Sequence, residues 1–398
     1  MNSFNYEYPV RQHFGKGCAE SAIKEEMKRV EAKCVMLAYG GASLKRTGLY
    51  DKVKAWLEES GKTVIDFGGI MPNPTYAKVQ EGARIARSEQ VGFILAVGGG
   101  SVIDCCKIVS AQAMMDEDVW DAWYNDHRMP TKFIPMGAVV TASGTGAEQN
   151  NGAVITHEEK KLKQPLFGAF HSFAVLDSDL TKTLPIKQVV SGAFDTLSHC
   201  METYMGKPQT TNLTDEINEA VMRNVIKNLR RLIANPNDDF ARDELMWASA
   251  LAENSLLKLG KQTDFQCHMI EHAVGAYTDC NHGQGLAVIH PAVYRHLLDA
   301  GKEKLARMAE EVWAAAMVNI SSRVPTPPGR ATKMSLWASI RSLRSLRLSH
   351  GISMSRSGKV LPPRSTSVGT TPMVLPPFAF TALPMQSIRP ELQPPKTR

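Results

Sequence analysis

Two histidine-containing segments of the chain carry side chains that could bind a divalent metal ion. Asp195 and His199 are four residues apart, as are His268 and His272, and His282 follows ten residues later. Residues at positions i and i+4 of a helix lie on one face, so each pair can present both side chains to the same ion. Carboxylate and imidazole ligands suit Fe²⁺ and Zn²⁺. Together the segments predict four ligands around a single metal.

Each pair alone has a simpler explanation. An Asp and a His one helical turn apart often form only a surface or capping interaction, and the second pair could be buried beside Cys267 without binding anything. The segment from His268 to His272 also satisfies the H-x-x-E-H pattern of a zinc metallopeptidase, in which Glu271 would be the general base. That interpretation gives no role to the first pair or to the glycine-rich turns, so a metalloenzyme that also binds a nucleotide is favoured.

A glycine-rich turn in the first half could hold a phosphate group. Gly98-Gly99-Gly100-Ser101 follows an apolar strand and leads into a predicted helix, whose N-terminus favours negative charge. Asp104 lies in the first turn of that helix, where it could simply complement the helix dipole. The motif is neither a Rossmann nor a Walker sequence, and an ordinary tight turn explains it equally well.

A second turn, Gly40-Gly41-Ala42-Ser43, bears on the choice of dinucleotide. It contains no carboxylate, and Lys45 and Arg46 follow it. A carboxylate there could bind an adenosine 2′-hydroxyl and would repel a 2′-phosphate, whereas cations attract the phosphate. Asp66, at the end of the second predicted strand, is the competing carboxylate that would favour NAD(H). We predict that NADP(H) is preferred and that NAD(H) is possible.

The pattern of apolar residues predicts two kinds of architecture. Apolar runs alternate with amphipathic stretches in the first half, which is typical of a parallel sheet covered by helices. The predicted strands are Cys34–Tyr39, Thr63–Phe67, Gly92–Val97 and Phe133–Val140, and the predicted helices are Leu49–Glu59, Tyr76–Ser88 and Val102–Met115. Helical patterns follow at Val189–Tyr204, Asn212–Ala234, Asp239–Leu257 and Asp264–Thr278. We predict an α/β Rossmann-like dinucleotide-binding domain over residues 1–185 and an all-α metal-binding catalytic domain, incomplete at its end, over residues 186–313.

Residues 314–398 differ in composition from the rest of the chain. They contain 12 of the 22 prolines, 13 serines, and 12 basic residues against one acidic residue. Residues 1–313 therefore hold 34 basic and 39 acidic residues, a net charge of −5, and nucleic-acid binding by this part loses its electrostatic basis. The tail predicts either a disordered basic arm or, as we favour, a translated shifted reading frame that could leave the product catalytically inactive.

The remaining features predict a cytoplasmic protein. The N-terminus lacks the basic start and apolar stretch of a secretory signal, and no run of eighteen apolar residues could span a bilayer. The seven cysteines are an odd number without CxxC spacing, which favours reduced thiols over a disulfide framework. We expect neither a membrane nor a nucleic acid as a partner.

An ordered set of short motifs extends along about three-quarters of the chain. They are Phe14-Gly-Lys-Gly17, Tyr39-Gly-Gly, Gly98-Gly-Gly-Ser101-x-x-Asp104, Thr141-Ala-Ser-Gly-Thr145-Gly-Ala-Glu148, Asp195-x3-His199, Leu245-Met-Trp-Ala248 and His268-x2-Glu-His272 leading to His282-Gly283. From Phe14 to about Trp313 the sequence thereby resembles the iron-containing alcohol dehydrogenases, particularly their butanol dehydrogenase and NADPH-dependent aldehyde reductase branch. The resemblance implies their dehydroquinate synthase-like architecture.

The resemblance also implies roles for individual residues. The metal ligands would be Asp195, His199, His268 and His282, and His272 would be a non-ligand histidine near the nicotinamide and the candidate proton carrier. Together with the glycine-rich turns, the expected cofactor contacts are Gly40, Gly41, Ser43, Asn73, Gly98, Gly99, Gly100, Ser101, Asp104, Thr141, Thr145 and Lys163. The implied reaction is hydride transfer between NAD(P)H and a primary alcohol or aldehyde, with Fe²⁺ or Zn²⁺ bound, in a homodimer.

Overall fold

A six-stranded parallel sheet forms the centre of the first half of the chain. The computed structural model describes residues 1–314. Its strands are β1 (Arg11–Phe14), β2 (Cys34–Tyr39), β3 (Thr63–Phe67), β4 (Phe93–Gly98), β5 (Met136–Val140), β6 (Gly152–His157), β7 (Leu162–Phe167) and β8 (Phe173–Leu176). The sheet has the order β1-β8-β5-β4-β2-β3, and every pairing in it is parallel. Strands β6 and β7 form a separate antiparallel hairpin.

Helices cover both faces of this sheet. They are α1 (Ala19–Met27), α2 (Ser43–Arg46), α3 (Leu49–Glu59), α4 (Tyr76–Ser88), α5 (Gly100–Gln112) and α6 (Val119–Tyr124). Val35 and Leu37 of β2 pack with α1 and α3, whereas Met36 and Ala38 pack with α4 and α5. Successive strand residues point to opposite faces, so a strand that is covered on both sides must be apolar at every position. This explains the uninterrupted apolar runs in the sequence.

The sequence predicted four of the six strands of the sheet, β2, β3, β4 and β5. Strands β2 and β3 and helices α3 and α4 have the predicted limits, while β4 is displaced by one residue and β5 begins three residues late. Strands β1 and β8 and the hairpin of β6 and β7 were not predicted. The reason for β1 is physical: it is a four-residue edge strand, Arg-Gln-His-Phe, with no fully buried residue, so no apolar run marks it.

The second half of the described chain is helical. Its helices are α7 (Ile186–Tyr204), α8 (Leu213–Ala234), α9 (Asp239–Glu253), α10 (Gln266–Thr278), α11 (His282–His296) and α12 (Lys302–Met308), followed by a π-helical turn at Ala309–Ala314. They enclose a core of their own, formed mainly by α7, α8, α9 and α12. The α/β-plus-α fold class is therefore confirmed. The domain limits at 185 and 313 stay predictions, and the prediction for residues 314–398 lies, from residue 315 onward, outside the described residues.

Two further observations bear on function. None of the described helices has the length and apolar composition needed to cross a bilayer.

Helix α7 approaches the loop after β5 so closely that a Cβ atom on Gly192 would lie 2.2 Å from the carbonyl oxygen of Ser143. The Thr196 hydroxyl donates to the carbonyl oxygen of Gly144 at 3.2 Å in the same contact. Helix α7 is thus held beside the carboxyl ends of the parallel strands, where ligands of such sheets bind.

Candidate metal centre and cofactor cavity

Four residues predicted as metal ligands converge around one carboxylate. Asp195 Oδ1 lies 3.5 Å from His268 Nε2, 3.5 Å from His282 Nε2 and 3.8 Å from His199 Nε2. One potential ligand atom each of Asp195, His268 and His282 lies within 4.8 Å of the other two, and His199 is not part of this compact group. The rings of His199 and His268 stack with centroids 4.6 Å apart. The structure therefore brings together side chains that are up to 87 positions apart in the sequence.

Three helices supply these side chains, and their close approach depends on a glycine. Asp195 comes from α7, His268 from α10, and His282 is the first residue of α11. The Asn281 side chain caps α11 by accepting from the Gln284 N–H at 3.3 Å. A Cβ atom on Gly283 would lie 2.1 Å from the Ser191 carbonyl oxygen of α7. Only glycine therefore lets α11 begin close enough to α7 for its first histidine to reach Asp195.

The chemistry of these atoms fits a cation. Asp195 Oδ1 and His268 Nε2 are buried and lack a hydrogen-bond partner within the described protein, which is costly unless another group compensates them. Burial alone would raise the pKa of Asp195, but the His199, His282 and His268 rings outweigh it and lower that pKa. Burial opposes protonation of His268, yet the neighbouring carboxylates of Asp195 and Glu202 raise its pKa to about 9. A divalent ion between these atoms would satisfy the carboxylate and the ring nitrogen together.

A buried carboxylate fixes the orientation of His268. Glu202 accepts from the ring nitrogen Nδ1 of His268, from its backbone N–H at 3.2 Å, and from the Cys267 N–H at 2.6 Å. Because Nδ1 is engaged in this way, Nε2 is the nitrogen that faces Asp195. Such carboxylate partners of ligand histidines set the tautomer and increase the basicity of the ring.

A second carboxylate, Glu271, orients His282 in the same manner. Its Oε2 lies 2.5 Å from His282 Nδ1 and 3.1 Å from the ammonium nitrogen of Lys163, and the Cys280 thiol approaches its Oε1 at 3.6 Å. The Glu271 side chain is fully buried. A carboxylate committed to an imidazole and an ammonium group is not free to activate water, so the metallopeptidase interpretation is not favoured.

His272 lies beside the four predicted ligands. Its ring stacks on that of His282 with centroids 5.6 Å apart, and its centroid is 6.3 Å from that of His268. Burial, followed by the positive charges of His282 and Lys163, lowers its pKa well below the usual value. Its Nδ1 is buried without a partner among the described residues. The ring therefore resists protonation in this environment, and its Nδ1 is unengaged among the described residues.

A cavity lies at the carboxyl ends of β2 and β3. Gly40, Gly41, Lys45 and Asp66 are among the residues that line it, and its volume is about 440 Å³. A Cβ atom on Gly41 would meet nothing within 4 Å, so this backbone borders open space. The Tyr50 hydroxyl donates to Asp66 at 2.7 Å. Lys45, which would favour NADP(H), and Asp66, which would favour NAD(H), therefore both line this cavity.

The glycines after β4 have a packing role that the sequence did not indicate. A Cβ atom on Gly98 would lie 2.4 Å from Val102, and one on Gly100 would lie 2.5 Å from the Thr145 hydroxyl. Gly99 is the N-cap of α5, and the first N–H groups of a helix have no partner within it. The turn therefore combines close packing with free backbone donors at Gly99, Gly100 and Ser101.

The other predicted cofactor residues occupy varied positions. Asp104 accepts from the Val154 N–H at 2.9 Å and so anchors the hairpin, and burial raises its pKa. The Asn73 amide donates to Asp279 at 2.7 Å, in the turn between α10 and α11. The Thr141 N–H donates to the Gly98 carbonyl oxygen at 3.0 Å, and Ser43 begins α2 next to the cavity. Their contacts with a cofactor stay predictions.

Sequence reasoning missed the two carboxylates that hold the ligand histidines. Glu202 continues the helical face of Asp195 and His199, seven and three residues on, so the spacing could have indicated it. Glu271 was considered only as a peptidase base. The pairing of Glu271 with Lys163 joins residues that are 108 positions apart. No local sequence pattern indicates such a contact.

Comparison with known proteins is consistent with this geometry. Residues 9–178 match the family model for iron-containing alcohol dehydrogenase, and residues 189–347 match the C-terminal model of the same family. The chain is 38% identical to NADH-dependent butanol dehydrogenase A of Clostridium acetobutylicum, over 79% of this chain and 80% of that protein. It is 37% identical to the NADPH-dependent aldehyde reductase YqhD of Escherichia coli, over 79% and 81%.

Solved structures agree with the sequence comparisons. The crystal structure of NADH-dependent butanol dehydrogenase A from Thermotoga maritima superposes with a TM-score of 0.78 at 32% identity, covering 87% of this chain and 83% of that one. Escherichia coli YqhD superposes with a TM-score of 0.76 at 34% identity, covering 86% and 85%. With two matching family models and relatives of this identity and coverage, the chain belongs to the iron-containing alcohol dehydrogenase family.

Proposed function

We propose that the protein transfers hydride between NAD(P)H and a primary alcohol or aldehyde, as a metal-dependent alcohol dehydrogenase or aldehyde reductase. The observation that carries the proposal is the convergence of Asp195, His199, His268 and His282 from three helices. Two of the proposed ligand atoms, Asp195 Oδ1 and His268 Nε2, are buried and lack partners within the described protein. The names of the relatives support the substrate class, since they describe a butanol dehydrogenase and an aldehyde reductase.

Each residue of the site has a separate role in the proposed reaction. When bound, a divalent cation would polarise the carbonyl oxygen and a nicotinamide would donate or accept the hydride. Asp195 and the three histidines would hold the cation, and Glu202 and Glu271 orient two of those rings. His272 is the proposed proton carrier, because its ring adjoins that of His282 and its Nδ1 has no partner among the described residues. Burial of this cluster excludes water from the place where charge develops.

The finer identity of the cofactors is also part of the proposal. We propose that NADP(H) is preferred and NAD(H) possible, because Lys45 lines the cavity and Gly41 leaves space beside it. Asp66 in the same cavity opposes this preference, and hydrogen bonds from Tyr39 and Tyr50 occupy part of its capacity. We propose Fe²⁺ or Zn²⁺ as the metal, since a carboxylate with three imidazoles suits both.

Assembly and location remain proposals as well. A homodimer is expected from the family resemblance, and size-exclusion chromatography with light scattering would test it. A cytoplasmic location is expected from the cysteine pattern, and all seven cysteines are unpaired in the structure. Soluble expression of the full chain would test whether residues 314–398 render the product inactive.

The proposed function is tested by cofactor oxidation with purified full-length protein. NADPH or NADH is incubated with butyraldehyde after the protein is loaded with Fe²⁺ or Zn²⁺, and absorbance at the nicotinamide band is followed. We expect metal-dependent oxidation of the cofactor, faster with NADPH, and none with His268→Ala. Hydrolysis of a peptide substrate, or equal rates after complete removal of the metal, would contradict the proposal.

A further inference from the structure

We propose that Glu271 is a positioning residue that couples metal binding to dinucleotide binding. It would do so by sharing one carboxylate between His282, a proposed ligand of the metal, and Lys163, a predicted cofactor contact. The inference rests on the proposed function, since it assumes that both a metal and a dinucleotide bind. It assigns to a glutamate of the H-x-x-E-H sequence a role that neither an alcohol dehydrogenase nor a peptidase assignment provides.

The contacts that carry the proposal are made by one oxygen atom. Oε2 of Glu271 is 2.5 Å from His282 Nδ1 and 3.1 Å from the ammonium nitrogen of Lys163. The side chains of Lys163 and Glu271 are 4% and 0% exposed. Water therefore screens this ion pair little, and each partner senses the charge of the other strongly. A change in the ion pair between Lys163 and Glu271 therefore changes the negative charge that Glu271 presents to the His282 ring.

Lys163, an expected cofactor contact, belongs to the hairpin that is anchored to α5. It lies on β7, and the partner strand β6 is anchored to α5 by the bond from the Val154 N–H to Asp104. Helix α5 begins at Gly100, directly after the turn predicted to hold phosphate. The hairpin therefore links the N-terminal end of α5 to Glu271 through Lys163.

The direction of the coupling follows from electrostatics. In the structure the ammonium group of Lys163 neutralises part of the charge on Glu271. A dinucleotide phosphate attracts that ammonium group, which leaves more negative charge on Glu271. Glu271 then accepts the proton of His282 Nδ1–H more strongly, and Nε2 becomes a better metal ligand. Dinucleotide should tighten metal binding, and by thermodynamic reciprocity metal should tighten dinucleotide binding by the same factor.

Glu202 provides a matched control within the same site. It also accepts from Nδ1 of a ligand histidine, His268, and it is also buried. Its other partners are the backbone N–H groups of Cys267 and His268, and no lysine or arginine bonds to it among the described residues. Glu202 should therefore support metal binding without transmitting the presence of a dinucleotide.

The experiment measures Zn²⁺ affinity by competition with a chromophoric chelator, with and without saturating NADPH, for full-length protein. For the wild type we expect NADPH to tighten Zn²⁺ binding about 5- to 100-fold, and Zn²⁺ to tighten NADPH binding by the same factor. Glu271→Gln should weaken Zn²⁺ binding about 10- to 100-fold and bring the NADPH effect close to onefold. Glu202→Gln should weaken Zn²⁺ binding similarly but keep the NADPH effect.

A third variant keeps the test decisive if Glu271→Gln fails to fold. Lys163→Met should bind Zn²⁺ at least as tightly as the wild type in the absence of NADPH and should show no NADPH effect. Coupling that persists in Glu271→Gln or Lys163→Met, or that disappears in Glu202→Gln, would overturn the proposal. If the wild type binds both Zn²⁺ and NADPH independently, this inference fails alone. If it binds neither, the proposed function fails.

Discussion

The cofactor cavity and the metal centre are built in different ways. The cavity lies where parallel strands end, and much of its wall is backbone, at Gly40, Gly41, Gly68 and Gly69. The metal centre consists of side chains from α7, α10 and α11, and two further carboxylates hold the ligand rings. A backbone site depends on the element and its turn, whereas a side-chain site depends on the identity of each residue. The two regions should therefore respond very differently to single substitutions.

The largest expected effect is on the side-chain site. Asp195→Ala removes the carboxylate whose Oδ1 lies within 3.8 Å of an Nε2 atom of each of the three proposed ligand imidazoles. Metal binding and the polarisation of substrate that depends on it should therefore be lost together. We expect kcat/KM for aldehyde reduction to fall by at least about 1,000-fold. Metal content by mass spectrometry and steady-state kinetics would check this. Wild-type turnover with full metal content in the variant would break the distinction between the two regions.

A second prediction concerns buried imidazoles in the helical region. Burial lowers the pKa of His290 from 6.5 to about 4. The unfolded chain takes up a proton as the pH falls through 6.5, while the folded chain resists until about 4. Stability that is present above pH 6.5 is therefore lost toward pH 4, on the order of 3 kcal/mol for this residue. His290→Leu should flatten that dependence.

Urea unfolding between pH 7.5 and 4.5, with EDTA in every sample to remove the contribution of the metal, measures the effect of His290. His296→Leu is the matched control, because His296 is exposed on the same helix. An equal pH dependence of the free energy of unfolding in wild type and His290→Leu would contradict the prediction.

A third prediction compares one glycine from each region. Gly283→Ala forces a Cβ atom against the Ser191 carbonyl oxygen, whereas Gly41→Ala meets nothing within 4 Å. We expect Gly283→Ala to lower the free energy of unfolding by about 1–3 kcal/mol and to weaken metal binding, because His282 is displaced. Gly41→Ala should change stability by less than about 0.5 kcal/mol and should instead raise the KM for NADPH. Equal losses of stability would show that the two regions do not differ as described.

The smallest expected effect concerns Lys45, which lines the cavity. Lys45→Ala should raise the KM for NADPH about tenfold, because a charge-assisted contact with the 2′-phosphate is lost. The KM for NADH should stay within twofold of wild type, roughly the scatter of such effects. Lys54→Ala is the control, since Lys54 lies on α3 and does not line the cavity. An equal rise in the KM for NADPH and the KM for NADH would show that Lys45 does not distinguish the two cofactors.

The same contrast explains what the sequence could predict. The limits of β2, β3, α3 and α4 followed from local apolar patterns. The proposed ligand set, whose side chains the structure brings close together, was predicted from residue types and the family resemblance. The hairpin, the pairing of Glu271 with Lys163, and the requirement for Gly283 were not. Each of these depends on segments that are far apart in the chain and meet only in the folded molecule. No local periodicity encodes them.

The most direct test of the account is the position of the metal in a crystal of the protein grown with Zn²⁺ and NADPH. Anomalous diffraction at the zinc edge should show one peak about 2.0–2.2 Å from Asp195 and from the Nε2 atoms of His199, His268 and His282. Two other groups of described residues could also hold an ion, namely Glu271 with His272 and His282, and Glu202 with Cys267 and His290. A principal peak at either of those, or no peak near Asp195, would contradict the central claim.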